Sequence, residues 1–323
     1  MSVRVRVGTM NDIDALVEVE CSDVETWHHY SYKGRGEPAN YEELTPPERM
    51  MHGGPWMDRS ELAKYWQHME RLGIIPLVAE LNGKIVGHLD VLFSNELPLG
   101  SFLHLDVLKV HKAYRRRGVA RALIQEAERI ARDRKANFML VSPQEYEGPS
   151  GLTYRNCGFE KAFDTYDVEM VVSNTVIPRE IRLIPITLAK EPPVKTHSMV
   201  CGWYSISIKM WDNIANPNLE LTRFLHEHHL ATSLLVIGGN TYFLCIWSRL
   251  FDPSTGSIAL WATERLDKKE LQQVFQACEA LASCMGMEKI TIRTVDQYVS
   301  TLETMGLKIK SKGEPYLIKK QVF

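Results

Sequence analysis

Three arginines in a row, Arg115, Arg116 and Arg117, stand directly before Gly118 in the stretch VHKAYRRRGVARAL. They close an apolar, strand-like run and open an amphipathic helix. From Lys109 to Lys135 there are ten Lys/Arg against three acids (Glu126, Glu128 and Asp133), in a chain whose net charge is −2. That local excess suits an anion. Gly118 and Ala120 say which kind: with little side chain at the helix start, free backbone N–H groups and the positive helix end can approach a phosphate closely. That geometry suits a pyrophosphate. The arginines add charge-assisted bonds, although three consecutive side chains point in different directions and cannot all reach one ligand. Arg129, Arg132 and Arg134 read as a solvated helix face. Just upstream, HLDVLKVH sets His104 and Asp106 two apart on a strand, hence on one face, with Leu108 and Val110 continuing it. A histidine titrates at about 6.5 and is able to accept a proton, and a carboxylate beside it can orient or charge it.

The elements that position these groups are legible from periodicity. VRVRV alternates as a strand, and TMNDIDALVEVECSD follows as a helix with short polar residues at its entry. Residues 21 to 75 read as a decorated insertion. It gathers Trp27, Tyr30, Tyr32, Trp56, Tyr65 and Trp66 with Asp23, Glu25, Glu42, Glu43 and Asp58, a set that suits either an amine cation or ordinary packing. IPLVAELNGKIVGHLDVLFS is a hairpin about Asn82-Gly83, the pair preferred by a type I′ turn, and SFLHLDVLKV is its next partner. Val119, Leu123, Ala127 and Ile130 mark one face of a helix, NFMLVSP is again a strand, and SGLTYRNCGFEKAFDTYDVEMVV closes the unit with a short helix, a Gly158 stop and strand. The polar SNTVIPRE, with Pro178, divides residues 1–174 from 175–323. Beyond it the order recurs: hairpin, strand, helix, strand and helix, with Gly306-Leu307 where Gly158-Phe159 stood. A divergent internal duplication explains the recurrence.

Composition sets the outer bounds. A chain of 323 residues predicts two domains, and 45% hydrophobic with 24% charged residues describes a globular protein rather than a disordered or nucleic-acid-coating one. Cys21, Cys157, Cys201, Cys245, Cys278 and Cys284 form no CxxC pair, which fits reduced thiols and gives no metal cluster. FLHEHHL, with His226, Glu227, His228 and His229, is not HExxH and reads as a polar helix end. There is no signal core and no apolar run long enough for a membrane span, so a cytoplasmic location is expected.

Arg115-x-x-Gly118-x-Ala120 after an apolar strand resembles the Q/R-x-x-G-x-G/A motif of the GNAT family of N-acetyltransferases. IVGHLDV upstream and YRNCGF downstream resemble successive segments of the same family, so the likeness covers roughly residues 3 to 172. It implies an α/β chain of the acyl-CoA N-acyltransferase fold, a mixed sheet in two tandem GNAT-like domains, with acetyl-CoA as cosubstrate and no metal. By resemblance, backbone groups of Leu108, Lys109 and Val110 meet the pantetheine arm. Arg115, Arg116, Arg117, Gly118, Val119, Ala120 and Arg121 cradle the pyrophosphate. Tyr154 in YRNCGF stands where many members place a tyrosine beside the CoA sulfur, and is the expected general acid. Glu147 and Ser150 stand where the family often has asparagine and alanine. The HLDVLKVH strand is similar to the arylalkylamine N-acetyltransferase branch, where two histidines relay a proton through water; here the second is Asp106. His104 is the first choice for the base and Asp106 the second.

The second half lacks the phosphate motif. In ATERLDKKEL, Asp267 and Glu270 read as a capping box, in which the helix satisfies its own first N–H groups. Residues 175–323 are therefore expected to be a degenerate GNAT-like domain. The expected activity is direct acetyl transfer to a small-molecule amine or peptide N-terminus, with neither nucleic acid nor membrane as partner and a homodimer left open. The alternative is a CoA-binding sensor or interaction module without chemistry.

Overall fold

The computed structural model describes residues 2–31, 33–97, 99–173, 176–177, 179–186, 196–202, 206–215, 230–249 and 251–320. The FLHEHHL segment lies outside them.

The first half opens with β1 (Arg4–Val7) and α1 (Ile13–Cys21). The insertion then folds as a hairpin, β2 (Trp27–Ser31) and β3 (Gly34–Ala39), followed by α2 (Pro46–Met50) and α3 (Arg59–Met69). Next come β4 (Ile74–Leu81), β5 (Lys84–Glu96) and β6 (Gly100–Val110) as a meander. Asn82 and Gly83 both adopt positive φ (55° and 78°), as the two-residue turn between β4 and β5 requires. Helix α4 (Val119–Asp133) crosses to β7 (Phe138–Val141), and α5 (Pro149–Asn156), β8 (Glu160–Phe163) and β9 (Thr165–Val171) follow. Leu123, Ile124, Ala127, Ile130 and Ala131 give α4 a buried stripe that lies on β4, β5 and β6.

The second half repeats the plan with β10 (Ile181–Pro185), β11 (Ser198–Cys201), α6 (Ser207–Ala215), β12 (Leu230–Ile237), β13 (Asn240–Arg249) and β14 (Asp252–Ala262). It finishes with α7 (Lys268–Cys284), β15 (Lys289–Val295), α8 (Asp296–Thr304), β16 (Lys308–Lys312) and β17 (Tyr316–Lys320).

Among the described residues the strands form two large sheets, in the orders β1-β4-β5-β6-β7-β17-β8 and β10-β12-β13-β14-β11-β15-β9-β16. Each half thus donates a strand to the other. The sequence predicts that residues 165 to 171 close the first unit, but β9 pairs with β15 and β16 of the second sheet. The strand between β7 and β8 is instead β17, with Leu317 opposite both Val141 and Lys161. The physical reason is register: a strand with apolar Val168 and Met170 facing a buried layer fits an equivalent slot in either half of a duplicated sheet. One apolar core runs unbroken from Ile13, Leu16 and Leu62 of the first half to Trp211, Leu244 and Trp261 of the second. A second cluster fills the space under α4. All six cysteines are free. No described helix is long and apolar enough to cross a membrane.

Candidate active site

Strands β6 and β7 run parallel and pair only at Phe102–Phe138, Leu103–Met139 and His104–Leu140. Beyond His104 they part, and among the described residues the side of β6 that faces β7 has no further strand on it. At the same level β6 carries a bulge. Leu105 pairs with Val91 and Leu108 with Leu89, so Asp106 and Val107 together stand opposite Asp90. The extra residue reverses the alternation. Leu103 and Leu105 belong to the core under α4, and after the bulge so do Leu108 and Val110. His104 and Asp106 share the other face, as expected; Leu108 and Val110 do not continue it, because a bulge inserts one residue into a period of two.

The loop after β6 turns through two left-handed residues, Arg116 (φ 65°) and Gly118 (φ 81°), the kind of backbone in which N–H groups converge on an anion. A Cβ at Gly118 would meet nothing within 4 Å, so glycine serves the backbone conformation there rather than space. Helix α4 starts with no side-chain cap, which leaves its first N–H groups unsatisfied by side chains. Gly87 on β5 lets this helix start sit down on the sheet: a Cβ there would lie 2.7 Å from Val119 Cγ1. Arg116, Arg117 and Arg121 are exposed, with the Arg117 guanidinium 5.4 Å from the Tyr114 ring centre. Arg115 and Lys109 are engaged elsewhere. Both bind Asp23, which follows α1, Lys109 at 2.7 Å. Asp23 is held below the usual carboxylate range by these two cations, against the opposing pull of burial.

Tyr154 lies on α5, buried, with its ring edge-on to Phe159 at 5.5 Å. Burial and the negative charge of Asp106 push its phenol well above the ordinary value, so it stays protonated at any physiological pH. Asp106 is the hub on the opposite side. It accepts from Tyr65 Oη at 3.1 Å and from Lys209 Nζ, and its Oδ1 lies 3.6 Å from His104 Nε2. Burial disfavours its charge, but Lys209 and His104 outweigh that and hold the carboxyl well below its usual range. His104 Nδ1 is buried and has no hydrogen-bond partner among the described residues.

Lys209 carried no signal in the sequence. It comes from α6 of the second half, its side chain 6% exposed, with Nζ 5.4 Å from the Trp56 ring centre and 5.6 Å from that of Tyr65. What brings it here is a cap supplied across the halves. Glu96 at the end of β5 accepts from the backbone N–H groups of Ser207 (3.0 Å) and Ile208 (3.1 Å) at the start of α6, and from Ser94 Oγ at 2.7 Å. Burial raises the Glu96 pKa despite those donors. Further along the same face, His88 is wedged between Glu20 (3.0 Å) and Asp90 (2.7 Å). Burial alone would lower its pKa, but the two carboxylates raise it to about 10, so the imidazole is charged at neutral pH. The aromatic residues of the insertion divide: Trp56, Tyr65 and Trp66 line this face, whereas Trp27 and Tyr30 pack around His52.

The corresponding place in the second half is built differently. Strands β14 and β15 also run parallel, at Thr255–Lys289 to Ser257–Thr291, and then part. Strand β11 fills the gap, pairing Met199 with Trp261 and Cys201 with Thr294. The helix that follows, α7, is capped as the sequence predicts: Asp267 accepts from Glu270 N at 2.8 Å and Glu270 from Asp267 N at 3.0 Å. Among the described residues no cluster of His, Cys, Asp or Glu is arranged to hold a metal.

A parallel strand pair that splays with a helix crossing between its strands belongs to the acyl-CoA N-acyltransferase fold; both halves carry that pair, and the bulge and the uncapped, glycine-led helix start belong to the first half alone. Residues 38–159 match the acetyltransferase (GNAT) family model. Solved structures agree on the fold across 99% of this chain. A GCN5-related N-acetyltransferase from Anabaena variabilis is 14% identical (TM-score 0.60, 73% of that chain covered). A similar protein from Kribbella flavida is 11% identical (TM-score 0.60, 71% covered). A tandem GNAT protein from the clavulanic acid biosynthesis pathway is 12% identical (TM-score 0.54) and is covered over 98% of its length. No curated protein matches the chain significantly.

Proposed function

We propose that residues 1–174 form an acetyl-CoA-dependent N-acetyltransferase acting by direct attack of an amine in a ternary complex. Residues 175–323 are then a degenerate GNAT-like half that covers the acceptor side. The observation that carries this is the asymmetry of the two splayed strand pairs. One is open beside an uncapped helix start, and the other is filled by β11 beside a capped one.

In this reading acetyl-CoA supplies a thioester carbonyl at the splay, its pantetheine arm along the free edge of Leu108, Lys109 and Val110. The start of α4 and Gly118, Val119 and Ala120 hold the pyrophosphate, with Arg116, Arg117 and Arg121 at its rim. Arg115 reaches it only by leaving Asp23. Tyr154, kept neutral by burial, donates to the departing thiolate. His104 takes the proton from the amine, since Asp106 is too weak a base while paired with Lys209. The acceptor class is a small amine or a peptide N-terminus.

The test is steady-state thiol release from acetyl-CoA across a panel of amines, alongside calorimetric binding of acetyl-CoA. Amine-dependent release supports the enzyme. Tight binding with no turnover on any amine establishes the CoA-binding sensor instead.

A further inference from the structure

Lys209 is an amine already delivered to the carboxylate that neighbours the candidate base. Its Nζ bonds the Asp106 carboxylate, and Asp106 in turn interacts with His104 and electrostatically with Tyr154, the expected acid. Two aromatic faces, Trp56 and Tyr65, flank the ammonium, which is how a protein recognises an alkylammonium ligand. The lysine is also delivered with precision: its helix is fixed at its first turn by Glu96 of the other half, and Ser207 accepts from Trp261 Nε1 at 2.5 Å. A nucleophile already held at a reaction centre has most of the entropic cost of encounter removed.

We propose that Lys209 is itself an acetyl acceptor, so that the N-terminal half acetylates a lysine of the second half within the same chain. The inference rests on the N-acetyltransferase reading above. The ammonium first loses a proton to His104. The neutral Nζ attacks the thioester carbonyl carbon, the N–C bond forms, and the C–S bond breaks with its electron pair on sulfur. Nitrogen gives up a second proton as the amide forms. Of the two protons one ends on the CoA thiol, delivered through Tyr154, and the other passes from His104 to water. The product is a neutral amide, so Asp106 loses its cation and becomes available to the ammonium of an incoming acceptor. Each chain reacts once.

The full chain is incubated with deuterated acetyl-CoA and digested, and the peptide carrying Lys209 is read by mass spectrometry for light acetyl, gained during expression, and heavy acetyl. Turnover of the amine panel is measured on the same sample. Modification of Lys209 approaching one acetyl per chain, at a rate independent of protein concentration and lost in Gly118→Val, supports the proposal. Chemical acetylation by free acetyl-CoA favours exposed lysines such as Lys268 and Lys308 over one that is 5% exposed. Acetyl on those two with Lys209 bare therefore overturns it. If an external amine is turned over while Lys209 stays bare, this inference falls and the enzyme reading stands. If acetyl-CoA binds and neither occurs, both fall.

Discussion

Replacing Lys209 by methionine keeps most of the apolar stem and removes only the charge that Asp106 depends on. The two side chains are 6% and 12% exposed, so the pair belongs with desolvated ion pairs, whose breaking costs about 3 to 5 kcal/mol, and not with surface pairs at about 0 to 1 kcal/mol. Tyr65 Oη, which donates to Asp106 at 3.1 Å in the natural chain, is retained in the variant, and this places the expected loss near the lower figure, about 3 kcal/mol. The loss has a pH signature. In the natural chain Asp106 titrates below its ordinary value, so the pair's stabilisation is complete above the unfolded carboxylate pKa of about 4 and fades only as pH falls through the lower native value. In K209M burial acts without a counter-charge and moves the Asp106 pKa upward. The resulting penalty is present above that raised value and is relieved as pH falls through it. Urea unfolding of both chains at about pH 7 and about pH 4 therefore shows a large gap that closes on acidification. The double variant D106N/K209M recovers part of the loss at about pH 7. A gap below about 1 kcal/mol, or one equally wide at both pH values, refutes the claim that the pair is desolvated.

Three further outcomes are expected. Leu317→Ala, in a fully buried position of β17, lowers stability by about 2 to 5 kcal/mol and weakens acetyl-CoA binding although it lies far from the motif in sequence; unchanged urea midpoints would contradict the strand exchange. Gly118→Val strains a backbone at φ 81° and lowers acetyl-CoA affinity about tenfold or more by calorimetry, with no loss from crowding, since the space beyond Gly118 is open. Tyr154→Phe reduces kcat about 100-fold or more while sparing acetyl-CoA binding, and an unchanged kcat removes Tyr154 from the chemistry.

Local chemistry made much of this readable. Asn82-Gly83 specified its turn, the stripe from Val119 to Ile130 its helix, Asp267 and Glu270 their capping box, and Gly118 the left-handed entry to α4. In each case the cause lies within a few residues of the effect. The bulge at Asp106 and Val107 had no such mark, because one extra residue leaves composition and alternation almost untouched while turning every later side chain over. The exchange of β9 and β17 was equally silent, since strand pairing between segments so far apart in the chain leaves no local mark in either. Lys209 was invisible for a third reason. Its significance depends on Glu96, more than a hundred residues away, holding the start of α6 over the first half. The charge excess around the arginines overstated the supply, because Asp23 and Glu25 in the insertion return to Lys109, Lys112 and Arg115.

The reciprocal strands also set an order of events during synthesis. When residues 1–174 have left the ribosome, their sheet lacks the strand between β7 and β8, and its own β9 has no permanent partner. The partners of β9 arrive with residues 289–312, and the gap between β7 and β8 closes only after residues 316–320 emerge. The nascent first half must wait, with an unpaired edge beside β7, for nearly as many residues again to be translated, and that interval is when a chaperone has something to hold.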